Sequence, residues 1–186
     1  MNEELIESIR QFVENECKKE TNIFGMSAYN YHFVSVVKYA KQLANERGAD
    51  IEIVALAGWL HDIGSILGDY ENHHIFGAKF AEELLLKYCY PIEKIEKVKH
   101  CIIAHRGSKD IPRETVEAEC ICDADAMSHF DNIVALFSLA LVTRKLEVNK
   151  AKEFVREKLK RSWKKLSPLA KEIVKNKYAS VMEILI

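Results

Sequence analysis

Turn-forming residues are scarce in this chain, with three prolines and seven glycines in 186 residues. That leaves few of the breaks an all-β domain needs between short strands, and no stretch alternates apolar and polar residues as a half-buried strand does. There is no glycine-rich phosphate loop and no Ser-His-Asp nucleophile arrangement with supporting context. Neither sign of charge is in excess: 27 Lys and Arg stand against 28 Asp and Glu, a formal net charge of −1. A dedicated nucleic-acid partner is therefore not expected, although a local basic patch could still hold a phosphate. The longest apolar run, Ile133 to Val142, is interrupted by Ser138 and is too short to span a bilayer. The amino terminus, MNEELIESIR, is charged and amphipathic, unlike a secretory signal. A cytoplasmic protein with no membrane partner is the expectation. The five cysteines, an odd number without an export signal, are expected as reduced thiols. Cys120-x-Cys122 lacks the C-x-x-C spacing of a structural zinc site, so these residues read as small buried hydrophobes. Histidine is absent from the first thirty-one and the last fifty-seven residues, and all seven lie between His32 and His129.

What the chain does have is helical periodicity almost throughout, in a length that suits one domain of 1–186 without repeats or low-complexity linkers. Residues 3 to 19 form an amphipathic opening helix. Phe33, Val36, Val37, Ala40, Leu43 and Ala44 give a second helix an apolar stripe that Gly48 closes. Asp50 suits the N-cap of a helix carrying Ile53, Leu56, Ala57 and Leu60, which delivers His61-Asp62 at its end. Asn72 caps a helix to about Cys89, and Pro91 opens another that ends near Arg106-Gly107. A loop with Lys109, Pro112 and Arg113 precedes a helix from about Glu114, and Asp131, Asn149 and Ser167-Pro168 mark three further starts. The basic segment Arg156 to Lys165 reads as the solvated face of a helix whose buried stripe is Phe154, Val155, Leu159, Trp163 and Leu166. The fold class is all-α.

The chemistry centres on Leu60-His61-Asp62-Ile63-Gly64, where a mostly apolar helix stops at two adjacent metal-type ligands. Packing explains such a pair poorly, because both side chains enter an apolar interior without obvious partners. His32 lies one turn before Val36, beside the stripe of its own helix, and His61 one turn after Ala57. Of the two aspartates in Cys122-Asp123-Ala124-Asp125-Ala126-Met127, Asp125 falls on the line Ala118, Ile121, Cys122, Asp125, Ser128, whereas Asp123 shares a face with Glu119 and Cys120. Imidazole mixed with carboxylate suits manganese, iron, cobalt, nickel or zinc.

The order His32, His61-Asp62, Asp125 resembles the HD superfamily of metal-dependent phosphohydrolases, whose signature is H…HD…D, from about Tyr31 to Phe130. The resemblance implies a helical HD-domain bundle with a metal site in its core, a motif-bearing part at about 24–146 and C-terminal helices 149–186 packed on it. It implies His32, His61, Asp62 and Asp125 as ligands of a divalent ion, Asp62 also orienting or deprotonating the attacking water, and Asp123 supporting the ligands from behind. His73 (line His73, Phe76, Gly77, Phe80, Leu84) and His105 (line Val98, Cys101, Ile102, His105) both point inward by their spacing. His73-His74-Ile75-Phe76-Gly77-Ala78 is similar to the H-x-x-x-G-A element of HD enzymes that use extra histidines. His73 or His74, with His105, would then hold a second ion or clamp a phosphate. His100 and His129 read as structural. Arg106 and Lys109, just beyond His105, are candidates for holding phosphate charge.

Departures from the family pattern narrow the activity. Ser65 stands where cyclic-dinucleotide phosphodiesterases have lysine, Ala104-His105-Arg106-Gly107 replaces their H-H-E, and no G-Y-P occurs. Ser65 and Ile66 also occupy the acidic pair of stringent-response hydrolases. The expected type is the compact, stand-alone hydrolase acting on a small phosphorylated substrate, a nucleotide above all, with one or two divalent ions. Self-association is left open. Two other readings stand beside it: a di-iron HD-type oxygenase, and a non-catalytic metal-stabilised regulatory or binding module.

Overall fold

The computed structural model describes residues 1–107, 109 and 111–185. Positions 108 and 110, in the loop expected before residue 114, and position 186, the end of the expected domain, lie outside the described residues. The elements are α1 (Glu3–Lys18), α2 (Gly25–Ser27), a π-helical turn (Ala28–Phe33), α3 (Val34–Arg47), α4 (Ile51–Leu60), α5 (Ile63–Ile66) and α6 (His73–Lys87). They continue as α7 (Ile92–Ala104), α8 (Val116–Asp131), α9 (Ile133–Ser138), a second π-helical turn (Leu139–Thr143), α10 (Val148–Lys165) and α11 (Pro168–Ile184). Among the described residues there is no strand.

The bundle is assembled around α4. Asp50 caps it, accepting from the amides of Glu52 (2.9 Å) and Ile53 (3.3 Å). Ile53, Val54, Ala55, Leu56, Ala57 and Leu60 are completely buried, because α1, α3, α7 and α8 pack on different sides of it. Burying each large aliphatic side chain here contributes about 1.5–3 kcal/mol. Gly58 lets α3 approach, since a Cβ there would lie 3.0 Å from Val37 Cγ2. Gly48 ends α3 with a left-handed φ of 68° that a side chain would strain.

Several boundaries differ from the sequence expectation. Asp131 does not start a helix; it ends α8, and its carboxylate accepts from Tyr39 Oη (2.7 Å) and pairs with Lys177. Thr115, not Glu114, caps α8, accepting from Ala118 N, and Glu147 caps α10, accepting from Asn149 N. Asn72 sits at the start of α6 without a capping hydrogen bond from its side chain. Ser167 caps α11 as expected, with Pro168 in the first turn. No single helix among the described residues is long and apolar enough to cross a membrane; α8 and the Ile133–Thr143 segment, which pass that test only together, are bent by 81°.

Candidate metal centre

Helix ends deliver most of the polar side chains to one end of the bundle. His32 comes from the first π-helical turn, His61 and Asp62 from the junction of α4 and α5, His73 from the start of α6 and His105 from the end of α7. Asp125 and His129 project one turn apart from α8. The π-helical turn is a local departure from regular helix at His32, as such turns often are at functional sites.

Asp62 is the hub. Its Oδ2 lies 3.2 Å from His32 Nε2 and 3.6 Å from His61 Nε2, while its Oδ1 lies 3.3 Å from His105 Nε2 and 3.4 Å from His73 Nε2. Among the described residues three groups could hold an ion: His32, His61 and Asp62; Asp62, His73 and His105; and His32, Asp125 and His129, the donor atoms of each within 4.8 Å of one another. Asp125 Oδ1 is 3.7 Å from His32 Nε2 and 3.9 Å from His129 Nε2.

The far side of each ring fixes what the near side can be. His61 Nδ1 faces the Gly58 carbonyl at 2.9 Å, His73 Nδ1 faces the Tyr70 carbonyl at 2.9 Å, and His105 Nδ1 faces the Ile102 carbonyl. A carbonyl only accepts, so each Nδ1 carries a proton, and Nε2 presents a lone pair whenever the ring is neutral. His32 follows by one more step: Ser128 Oγ donates to the Asp125 carbonyl (2.7 Å), and so accepts from His32 Nδ1 at 3.1 Å. Lone pair then faces lone pair between His32 and His61 at 2.9 Å and between His73 and His105 at 3.3 Å. Two neutral rings at that range, beside a carboxylate, call for a cation between them, a shared proton or a metal ion. The residues thus fit a divalent metal, and the donor set of imidazole and carboxylate without thiolate suits the first-row ions named above.

The electrostatics agree. Burial pushes His61 down to about 4, outweighing the pull of Asp62, so its ring is neutral and ligand-ready near neutral pH. Burial works against ionisation of Asp62, but His61, His105 and His32 hold it well below the usual carboxylate range. Burial likewise opposes ionisation of Asp125, which His129 and His32 nevertheless hold low. Burial opposes a proton on His105, yet the hydrogen bond to Asp62 raises it; the carboxylate draws positive charge that a metal ion can supply instead.

Gly64 explains how His73 gets there. A Cβ at Gly64 would overlap the His73 carbonyl oxygen and lie 2.7 Å from its Cα. The start of α6 therefore rests on bare backbone at α5, which brings Nε2 of His73 beside Asp62.

Other predicted residues sit elsewhere. His74, the alternative to His73, turns away from the cluster; its Nδ1 accepts from Arg106 Nη1 at 3.0 Å, and burial with the charge of Arg106 brings it down to about 4. Asp123 is also directed away, its carboxylate accepting from Arg47 Nη2 (2.6 Å) and from Ser167 N (3.0 Å) and Oγ. It ties α8 to α3 and to the start of α11 and does not stand behind a ligand. Lys109 is exposed and lines neither cavity at the cluster. His100 is structural as read, its Nε2 accepting from Glu114 N. His129 differs from its structural reading: its ring stacks on His32 at 5.9 Å while Nδ1 meets Ser162 Oγ at 3.0 Å. Its i+4 spacing from Asp125 was the available signal.

Two cavities meet at the cluster. One, about 440 Å³, is mostly apolar, walled by Ile23, Phe24, Ile66, Leu136, Leu139 and Val142. The other, about 280 Å³, is polar and brings Arg106, Lys158 and Lys165 to the histidines. His32, Asp62, Ser65, Tyr70, His129 and Lys158 line both.

A helical bundle with an H…HD…D cluster at one end defines a class, and comparison with known proteins agrees. The HD domain family model matches residues 29–129, more than half of the chain, and the chain belongs to that family. Ribonuclease Y of Alkaliphilus metalliredigens (strain QYMF) is 31% identical over 152 residues, covering 68% of this chain and 30% of that protein. The chain spans about a third or less of the length of the curated relatives it matches first, 30% for that protein and 18% for the ribonuclease Y of Wolinella succinogenes. Among solved structures, Bacillus subtilis YpgQ in complex with ADP superposes with a TM-score of 0.72 at 18% identity, covering 97% of this chain and 93% of that one. An HD-superfamily hydrolase from Bacillus thuringiensis gives 0.69 at 21% identity, covering 98% and 93%. These likenesses establish the fold.

Proposed function

We propose that the protein is a metal-dependent phosphohydrolase that cleaves a phosphate ester or anhydride of a small nucleotide-like substrate. The observation that carries this reading is the set of four imidazole Nε2 atoms turned onto both oxygens of one carboxylate, Asp62. His32, His61, Asp62 and Asp125 would hold one divalent ion, and Asp62, His73 and His105 a second. Such ions supply an activated water at neutral pH and neutralise phosphoryl oxygens.

The chain's own groups do the rest. Hydrogen bonds to Gly58, Tyr70, Ile102 and Ser128 lock the rings, so the ligand set is organised before substrate arrives. Asp62, ionised and anchored at the end of α4, orients the water and accepts its proton. Arg106, which lines the polar cavity, supplies positive charge where phosphate charge develops. The apolar cavity on the other side has room for a base and sugar. YpgQ, which shares this fold, was solved with ADP, which supports a nucleotide as the ligand class.

Hydrolysis of a panel of nucleoside mono-, di- and triphosphates, with oxygen uptake followed in parallel, tests the reading. Turnover should stop in chelator and return with manganese, cobalt or nickel. Phosphate release that persists in saturating chelator after dialysis removes the metal from the reaction, and oxygen uptake without phosphate release assigns the centre to oxidation.

A further inference from the structure

Helix α10 lies beyond the residues matched by the family model, and its basic run has the look of a solvated face. The structure divides that run in two. Lys160 pairs with Glu157 at 2.8 Å, and Arg156 lies within 3.7–3.8 Å of Glu153 and Glu157, out on the surface. Lys158 and Lys165 instead turn to the cavity of the histidine cluster, both half-buried. Among the described residues neither ammonium has a hydrogen-bond or ion-pair partner within the chain. Lys165 lies flat against Gly107, where a Cβ would overlap its Nζ and lie 3.0 Å from its Cδ; the glycine thus makes room for the lysine beside Arg106. Lys158 stands where the polar and apolar cavities join.

Half-buried ammonium groups lose hydration, and neither lysine has a direct partner to offset that cost, Asp125 acting on Lys165 only at longer range. Asp62 and Asp125 are themselves engaged by the histidines and by any cation those hold. Three positive groups therefore face one cavity of about 280 Å³, beyond what a single reacting phosphoryl group at the cluster requires.

We propose, resting on the phosphohydrolase reading, that Lys158 and Lys165 are specificity-determining residues that hold a second, non-reacting phosphoryl group and so select phosphoanhydrides over phosphomonoesters. With the organic part of the substrate in the apolar cavity, the reacting phosphoryl group lies at the cluster beside Arg106 and the non-reacting one lies against Lys158 and Lys165.

The test is calorimetric titration of inorganic pyrophosphate and of orthophosphate into metal-stripped protein, for the wild type and for Lys158→Gln, Lys165→Gln and Lys160→Gln. Pyrophosphate should bind the wild type more tightly than orthophosphate. Each cavity substitution should weaken pyrophosphate about tenfold, the loss of one charge-assisted contact, while Lys160→Gln, on the outer face, should leave it unchanged. Lys165→Arg should recover part of the loss, and Lys158→Gln keeps the test open if Lys165→Gln does not fold. With metal restored, Lys158→Gln and Lys165→Gln should raise KM for a nucleoside diphosphate by a larger factor than KM for a monoester. Unaltered pyrophosphate binding in both cavity variants, or equal binding of the two anions, would overturn the subsite. A lysine-dependent pyrophosphate site in a protein that turns over no phosphorylated compound would keep the subsite and remove the hydrolase reading instead.

Discussion

Gly64→Ala should disable half of the metal centre while leaving the bundle folded. The added Cβ would sit 2.7 Å from His73 Cα, against an ordinary contact of at least 3.4 Å, and closer still to the His73 carbonyl oxygen, so α5 and the start of α6 must part by more than roughly 0.7 Å, the difference of the first two distances. Forcing an extra methyl into a packed junction costs about 1–3 kcal/mol, which at this chain length lowers Tm by roughly 2–4 °C per kcal/mol. The larger effect falls on function. Ligand sets tolerate displacements of only about 0.5 Å, and His73 Nε2 now lies 3.4 Å from Asp62 Oδ1 and 3.3 Å from His105 Nε2. The variant should lose the ion shared by Asp62, His73 and His105, retain the one at His32 and His61, and turn over about a hundredfold more slowly. Gly77→Ala is the matched control: its Cβ would meet Gly64 N at 3.4 Å and Ile63 Cγ2 at 3.5 Å, which are ordinary contacts, and alanine favours helix by about 1 kcal/mol over glycine. Thermal unfolding followed by circular dichroism, with metal analysis after dialysis, reads both variants. A Gly64→Ala protein with wild-type metal content and turnover would refute the claim that the bare backbone at Gly64 positions His73.

Other perturbations separate the side chains further. His105→Ala should reduce bound metal from two ions to one, whereas His74→Ala, away from the cluster, should leave stoichiometry intact; metal analysis distinguishes them. Asp123→Ala should act on stability and not on metal affinity, because it removes the buried carboxylate shared by Arg47 and Ser167 and leaves Arg47 to Glu119 at 3.5 Å; a cost of about 1.5–3 kcal/mol is expected from urea unfolding, with metal affinity unchanged in the folded protein. In metal-free protein, His105 is raised above its ordinary 6.5 by Asp62, so its ion-pair contribution is complete below pH 6.5 and fades as pH rises through the raised value. Asp62, held low, contributes above its unfolded pKa and loses that contribution as pH falls through its folded one. Metal must displace the His105 proton, so calorimetric metal affinity should increase with pH across the same upper range and proton release should accompany binding.

Much of this was legible in the sequence because it is local. Apolar spacing, Asp50, Gly48 and Ser167-Pro168 place the helices, and the order of His32, His61-Asp62 and Asp125 is legible through its resemblance to the H…HD…D signature. What was not legible depends on distant backbone. The choice of His73 over His74 is made by the Tyr70 carbonyl and the close approach at Gly64, neither of which periodicity reports. Asp123 and Asp125 lie two residues apart on a helix, and only the arrival of Arg47 and Ser167 shows that Asp123 is spoken for. Lys158 and Lys165 sit in a run of mostly solvent-facing charges, so composition could not single them out, and His129 was signalled only by its i+4 spacing from Asp125. The π-helical turn under His32 has no sequence signal that was recognised.

The central claim is that Asp62 joins two histidine groups into one metal centre. Metal content per chain, measured for wild type and Asp62→Ala purified without chelator or added metal, tests it most directly. The account predicts two first-row divalent ions in the wild type and loss of both in Asp62→Ala, with the helical circular dichroism retained; an Asp62→Ala protein that holds as much metal as the wild type would contradict it.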